Sequence, residues 1–214
     1  MPNIASNMAN GNQIQATQTF EKALELCLFL GILSSLSLFF VSPFLVPWFL
    51  GAKFSGAIPI LQILSGVACL KAISIMIGSG LLIAIEREKN YSICLWLTLS
   101  VNILLNLIFI DRWGAIGAAS SSLIAEGLLL LLLLYTSRQF ISYKMMRTFF
   151  IYGFSAIPAI LAVYCFFGNV ETMADACIAV SIVLAVYMMT LFGVFRRHYI
   201  PYIIINFLAR KSVG

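Results

Sequence analysis

Charge is the scarcest ingredient of this chain. Asp, Glu, Lys and Arg make up 10% of its 214 residues, and histidine occurs once. Soluble domains carry about 25% charged residues, so this composition does not furnish a surface for water. The lone histidine, His198, stands beside Arg196 and Arg197 past the last apolar run, where it reads as a solvated interfacial side chain. No cluster of His, Cys and carboxylate residues has metal-ligand spacing, so neither a metal nor a cofactor is expected. The five cysteines, Cys27, Cys69, Cys94, Cys165 and Cys177, lie inside apolar runs or at their edges without paired spacing. They read as small apolar filler. Long polar loops are missing too: the connections on one side span only 48–56, 111–113 and 169–173. Such loops cannot fold an active site, and none bears the carboxylates or arginines expected of a membrane glycosyltransferase or polymerase. Enzymatic activity is therefore not expected. Residues 1–22 lack the basic start of a signal peptide and hold one lysine, Lys22.

What is abundant is hydrophobic sequence, 62% of the chain. A helix crossing a ~30 Å hydrocarbon core needs about 20 apolar residues. Six runs qualify, at 24–47, 57–85, 91–110, 114–135, 147–168 and 174–195. They do not alternate in polarity as barrel strands would. The expected fold class is all-α: a polytopic membrane helix bundle of about six transmembrane helices. A cytoplasmic segment, 1–22, precedes four helices in 23–136 and two more in 137–198. In the tail, 199–214, the stretch Tyr199–Ala209 is too short to cross and precedes Arg210 and Lys211. It reads either as an interfacial helix or as a frayed end.

A net charge of +5 invites a nucleic-acid reading, but the positions of the basic residues argue otherwise. With the N-terminus in the cytoplasm, Lys22, Arg87, Lys89, Arg138, Lys144, Arg147, Arg196, Arg197, Arg210 and Lys211 all fall inside. Only Lys53 and Arg112 fall outside, and Lys71 lies within a span. This positive-inside bias predicts both termini in the cytoplasm and accounts for the basic balance, leaving no nucleic-acid partner to invoke. Trp48 and Trp113 fall at predicted outer boundaries, where amphipathic rings prefer to sit.

Polar groups inside the spans are the candidates for function, because a charge at mid-bilayer costs at least ~2.5–3.5 kcal/mol. Lys71 is the midpoint of run 57–85, and Glu126 lies near the midpoint of 114–135. Both runs point from outside to inside, which puts the two charges at similar depth. Lys71 shares a helix face with Ser74 and Gly78, and Glu126 with Ser122 and Ala119. Both stripes are expected to face the bundle. Thr98, Asn102 and Asn106, spaced i, i+4, i+8, form a third polar stripe, and Gln62 adds an amide to the Lys71 run. The candidate substrate- or ion-binding residues are Lys71, Glu126, Asn102, Asn106 and Gln62. Two readings stand open: these groups line a transport cavity, or they are struts that lock the bundle, as intramembrane amides often do. Gly114, Gly117 and Ser121 read as close-packing positions. Pro43, Pro47, Pro59 and Pro158 start or kink helices.

An ordered series of segments resembles a known family. Pro43-Phe-Leu-Val-Pro-Trp-Phe-Leu-Gly-Ala-Lys-Phe54 is followed by Ala57-Ile-Pro-Ile-Leu-Gln-Ile-Leu64, Gly78-Ser-Gly-Leu-Leu-Ile-Ala84 and Val101-Asn-Ile-Leu-Leu-Asn-Leu107. Arg112-Trp-Gly-Ala-Ile-Gly-Ala-Ala-Ser120 and Glu126 complete it. The series, over about residues 24–136, resembles the C-terminal half of polysaccharide flippases of the multidrug/oligosaccharidyl-lipid/polysaccharide superfamily. The resemblance implies translocation of undecaprenyl-diphosphate-linked oligosaccharide, such as O-antigen repeats for lipopolysaccharide, across the bacterial inner membrane. The implied partners are that lipid-linked oligosaccharide, membrane lipids, and a missing N-terminal lobe or other polysaccharide assembly proteins. Such flippases have at least twice as many spans, in two lobes, and Met1-Pro2-Asn3-Ile4-Ala5-Ser6 looks like the tail of a preceding helix. The expectation is therefore the later part of a longer transporter. A non-transporting assembly subunit and a multidrug/cation antiporter of the same superfamily are the alternative readings.

Overall fold

The computed structural model describes residues 13–141, 143–166 and 172–194, and these are helical with no strand. Five long helices follow one another: α1 (Gln13–Leu50), α2 (Ile58–Ile75), α3 (Glu88–Ser137), α4 (Tyr143–Phe166) and α5 (Met173–Val194). All five belong to helical stretches long and apolar enough to cross a membrane. Segments 1–12 and 199–214, His198, Arg196 and Arg197, and the side chain of Lys144 lie outside the described residues.

α1 begins inside the segment expected to precede the first span, and its 38 residues extend about 57 Å, well beyond a ~30 Å hydrocarbon core. Ala16, Phe20, Leu24 and Leu28 recur every fourth residue and are buried. That stripe makes α1 the central element, packed on α2 on one side and on α4 and α5 on the other. Pro43 and Pro47 are accommodated within the helix, which ends where Gly51 turns to φ 96°. A short 3₁₀ turn (Ala52–Ala57) leads into α2, whose second position is Pro59, a place where the missing N–H costs nothing. At its far end α2 widens into a π turn (Met76–Leu82). There Gly78 lies directly under the ring of Tyr91, leaving no room for a Cβ.

A straight α3 of 50 residues would measure about 75 Å. Instead it folds back on itself at Gly114, where φ 55° and ψ −131° suit glycine alone. Gly117 then seats on the backbone of Phe109, in a space that admits no side chain. The two arms run antiparallel, with Cys94 Sγ 3.6 Å from Thr136 Oγ1 near their open end. These arms are the runs 91–110 and 114–135, so five helical stretches make six passes.

The main core gathers Phe20, Leu24 and Leu28 of α1, Ile73 of α2, Leu129 and Leu133 of α3, Tyr152 of α4 and Tyr187 of α5. Large apolar side chains also cover the outside: Trp96, Ile103, Leu104 and Leu107 on α3, and Phe150 and Phe154 on α4, are exposed. An outer face of this kind suits lipid. All five cysteines are free. Cys94 is buried and Cys27 and Cys69 are half-buried, but Cys165 and Cys177 are exposed, so the filler reading does not describe these two.

Replacing Gly117 with Ala should force the arms of α3 apart and destabilise the protein by about 1–3 kcal/mol. Gly127→Ala meets only Leu70, at 4.0 Å, and should be neutral. Thermal unfolding of the two variants in detergent checks the contrast, and equal midpoints would contradict this account of the hairpin.

Candidate functional site

The fold brings α2 against the α3 hairpin, and there the two mid-span charges meet. Lys71 Nζ lies 3.5 Å from Glu126 Oε2, longer than a tight charge-assisted hydrogen bond of about 2.7–2.9 Å. The pair is lopsided: the Glu126 side chain is 8% exposed, the Lys71 side chain 61%. This corrects the expectation for Lys71. Ser74 and Gly78 of its stripe are buried, but the Lys71 side chain is mostly exposed.

Beside the pair is a cavity of about 330 Å³ between α2 and both arms of α3. Its polar groups come from Lys71, Thr98, Asn102, Ser122 and Glu126, and its apolar walls from leucines, Val67 and Ala125. Glu126 Oε1 and Thr98 Oγ1 are buried without a hydrogen-bond partner among the described residues. Leaving such groups dry costs about 1–3 kcal/mol each. At ~30 Å³ per water, the cavity has room for several molecules.

Asn106 stands one turn beyond the cavity and joins it through a relay. Ser121 Oγ donates to Asn106 Oδ1 at 2.5 Å, and Asn106 Nδ2 donates to Asn102 Oδ1 at 3.2 Å. With its Oδ1 occupied, Asn102 offers the cavity its NH₂ group. Ser121 is thus more than a close-packing position, because it orients both amides across the hairpin. Gln62 is placed elsewhere: it is half-buried on α2 and does not line the cavity. One charged residue escaped the sequence reading. Glu25 of α1 is 6% exposed, and its signal was a lone carboxylate between Leu24 and Leu26. It was missed because it sits one residue inside the estimated start of its run.

The helices, their apolar outer face and an intramembrane ion pair beside a polar cavity define the class as a polytopic membrane helix bundle. The fold matches a solved structure, "Lipid II flippase MurJ, inward closed conformation", with a TM-score of 0.76 and 22% identity over 90% of this chain and 42% of that one. At this identity the likeness establishes a fold of the MurJ type. The chain spans less than half the length of MurJ. No family model matches the sequence, and no curated protein matches it either.

Ser121→Ala should strand Asn106 Oδ1 and cost about 1–2 kcal/mol. Ser122→Ala removes only a bond to the Ala118 carbonyl and should change stability by less than about 0.5 kcal/mol. Unfolding midpoints in detergent compare the two, and an equal cost would mean that the relay carries no weight.

Proposed function

We propose that this chain forms one lobe of a flippase that moves a diphosphate-linked oligosaccharide lipid across the bacterial inner membrane. Lys71 attracts the diphosphate or an acidic sugar. The observation that carries this reading is the mid-span lysine, its side chain 61% exposed beside a cavity lined in part by polar groups. Hydrocarbon is a poor neighbour for such a group, so a polar or anionic occupant must face it for at least part of the working cycle. The MurJ-like fold supports a lipid-linked substrate, and the resemblance to polysaccharide flippases supports an O-antigen type of repeat unit. A second lobe, from another segment or chain, would complete the alternating-access unit. Both termini lie in the cytoplasm in this reading, as the distribution of Lys and Arg suggests.

Complementation of a flippase-null strain tests the assignment. Lys71→Ala and Glu126→Ala are each expected to reduce surface polysaccharide at least tenfold at matched protein levels. Unchanged polysaccharide would reject both residues. The direct Lys71–Glu126 contact favours one rival, a structural assembly subunit in which the pair is a strut. Exchanging the charges, Lys71→Glu with Glu126→Lys, separates the two. Restored folding and activity identify a strut, whereas restored folding without activity identifies a substrate contact.

A further inference from the structure

We infer that Glu126 is a proton-linked stand-in for the substrate's anion: when a diphosphate ester reaches Lys71, Glu126 leaves the ion pair and takes up one proton. This inference rests on the reading of Lys71 as the anion contact. It starts from the lopsidedness of the pair. Lys71 has one carboxylate contact, long at 3.5 Å, and its exposed side chain is free to turn outward on a flexible stem. Glu126 cannot follow, being 8% exposed on the arm of α3 that follows Gly114. Once Lys71 turns to an incoming anion, Glu126 would be left as a buried, uncompensated charge, the arrangement proteins most strongly avoid. Protonation removes that charge.

Among the described residues that line the cavity, no other group can do so. α2 contributes Lys71 alone as a charged residue, and the facing residues Thr98, Asn102 and Ser122 of α3 are uncharged. The π turn Met76–Leu82, which also packs on α3, contains nothing titratable. Lys71 and Glu126 are therefore the two charges that decide the balance. The cavity is neutral with both ionised, and a diphosphate ester would make it strongly negative.

Hydrogen-bond chemistry points the same way. A diphosphate presents mainly acceptors. The Lys71 ammonium and the Asn102 amide can donate to it, and the ionised Glu126 is the group that can only accept. Proton uptake, with water as the donor through the cavity, converts the carboxylate into a carboxylic acid whose O–H joins the donors. Glu126 Oε1, buried without a hydrogen-bond partner among the described residues, has a lone pair left to receive that proton. Loss of the proton restores the carboxylate, which reclaims Lys71 and expels the anion. The sign follows: anion affinity rises as pH falls, because the bound state holds one more proton than the free state.

Calorimetric titration of the purified protein in detergent tests this, with two probes in two buffers of different ionisation enthalpy. Geranyl diphosphate represents the substrate head, and geranyl sulfate is an anion that does not itself titrate near neutrality. With geranyl sulfate, the wild-type protein is expected to take up as much as about one proton per bound probe, with affinity falling up to about tenfold per pH unit of rise. Glu126→Gln should bind both probes at least as tightly and take up no proton with the sulfate. Glu126→Asp should restore the uptake. Sulfate binding to wild type without proton uptake, or equal uptake by wild type and Glu126→Gln, overturns the inference while leaving Lys71 as the anion contact. The wild-type measurement decides the matter even if Glu126→Gln does not fold. Binding of neither probe, or equal binding by Lys71→Ala, overturns the proposed function and this inference together.

Discussion

How closely the two arms of α3 approach one another governs the geometry of the cavity. Gly114 supplies a backbone angle that other residues resist, and Gly117 lets the returning arm rest on the carbonyl of Phe109. That contact sets the register in which Ser121 meets Asn106 and Glu126 comes level with Lys71 across the gap. A side chain at position 117 would move every one of these partners, because a helix transmits a displacement at its turn along its whole length. Two glycines at the turn of α3, neither of them lining the cavity, therefore govern the electrostatics of the site.

The second feature is imbalance. A buried ion pair is stable when both partners are equally sheltered and fully hydrogen-bonded. Here the Glu126 side chain is sheltered and the Lys71 side chain is not, one carboxylate oxygen lacks a partner among the described residues, and a cavity of about 330 Å³ lies beside them. The amide relay adds direction, since Ser121 fixes Asn106 and through it presents the donor end of Asn102.

Several parts of this picture were legible in the chain. The positions of Lys71 and Glu126 near the middles of their runs followed from counting residues, and with α2 packed on the α3 hairpin the two side chains meet. Asn102 reached the cavity for the same reason. Gln62 did not, because its position on α2 carries it off the cavity even though it lies in the same run. Glu25 was hidden by a boundary, since α1 begins at Gln13 and turns an apparent edge into buried interior. The outward face of Lys71 was not legible either: periodicity groups Lys71 with Ser74 and Gly78, but it cannot say which member of a broad stripe sits on its rim.

By itself, the sequence determined that this is a helical membrane bundle and which polar groups lie within its apolar runs. Each of these follows from local quantities: the length of an apolar run against a bilayer, and the cost of a charge inside one. Only the tertiary structure decided which helices are neighbours, that the Glu88–Ser137 stretch doubles back at Gly114, and that Lys71 is exposed while Glu126 is buried. Those outcomes depend on contacts between residues far apart in the chain. No local pattern encodes how two helix faces rotate against each other.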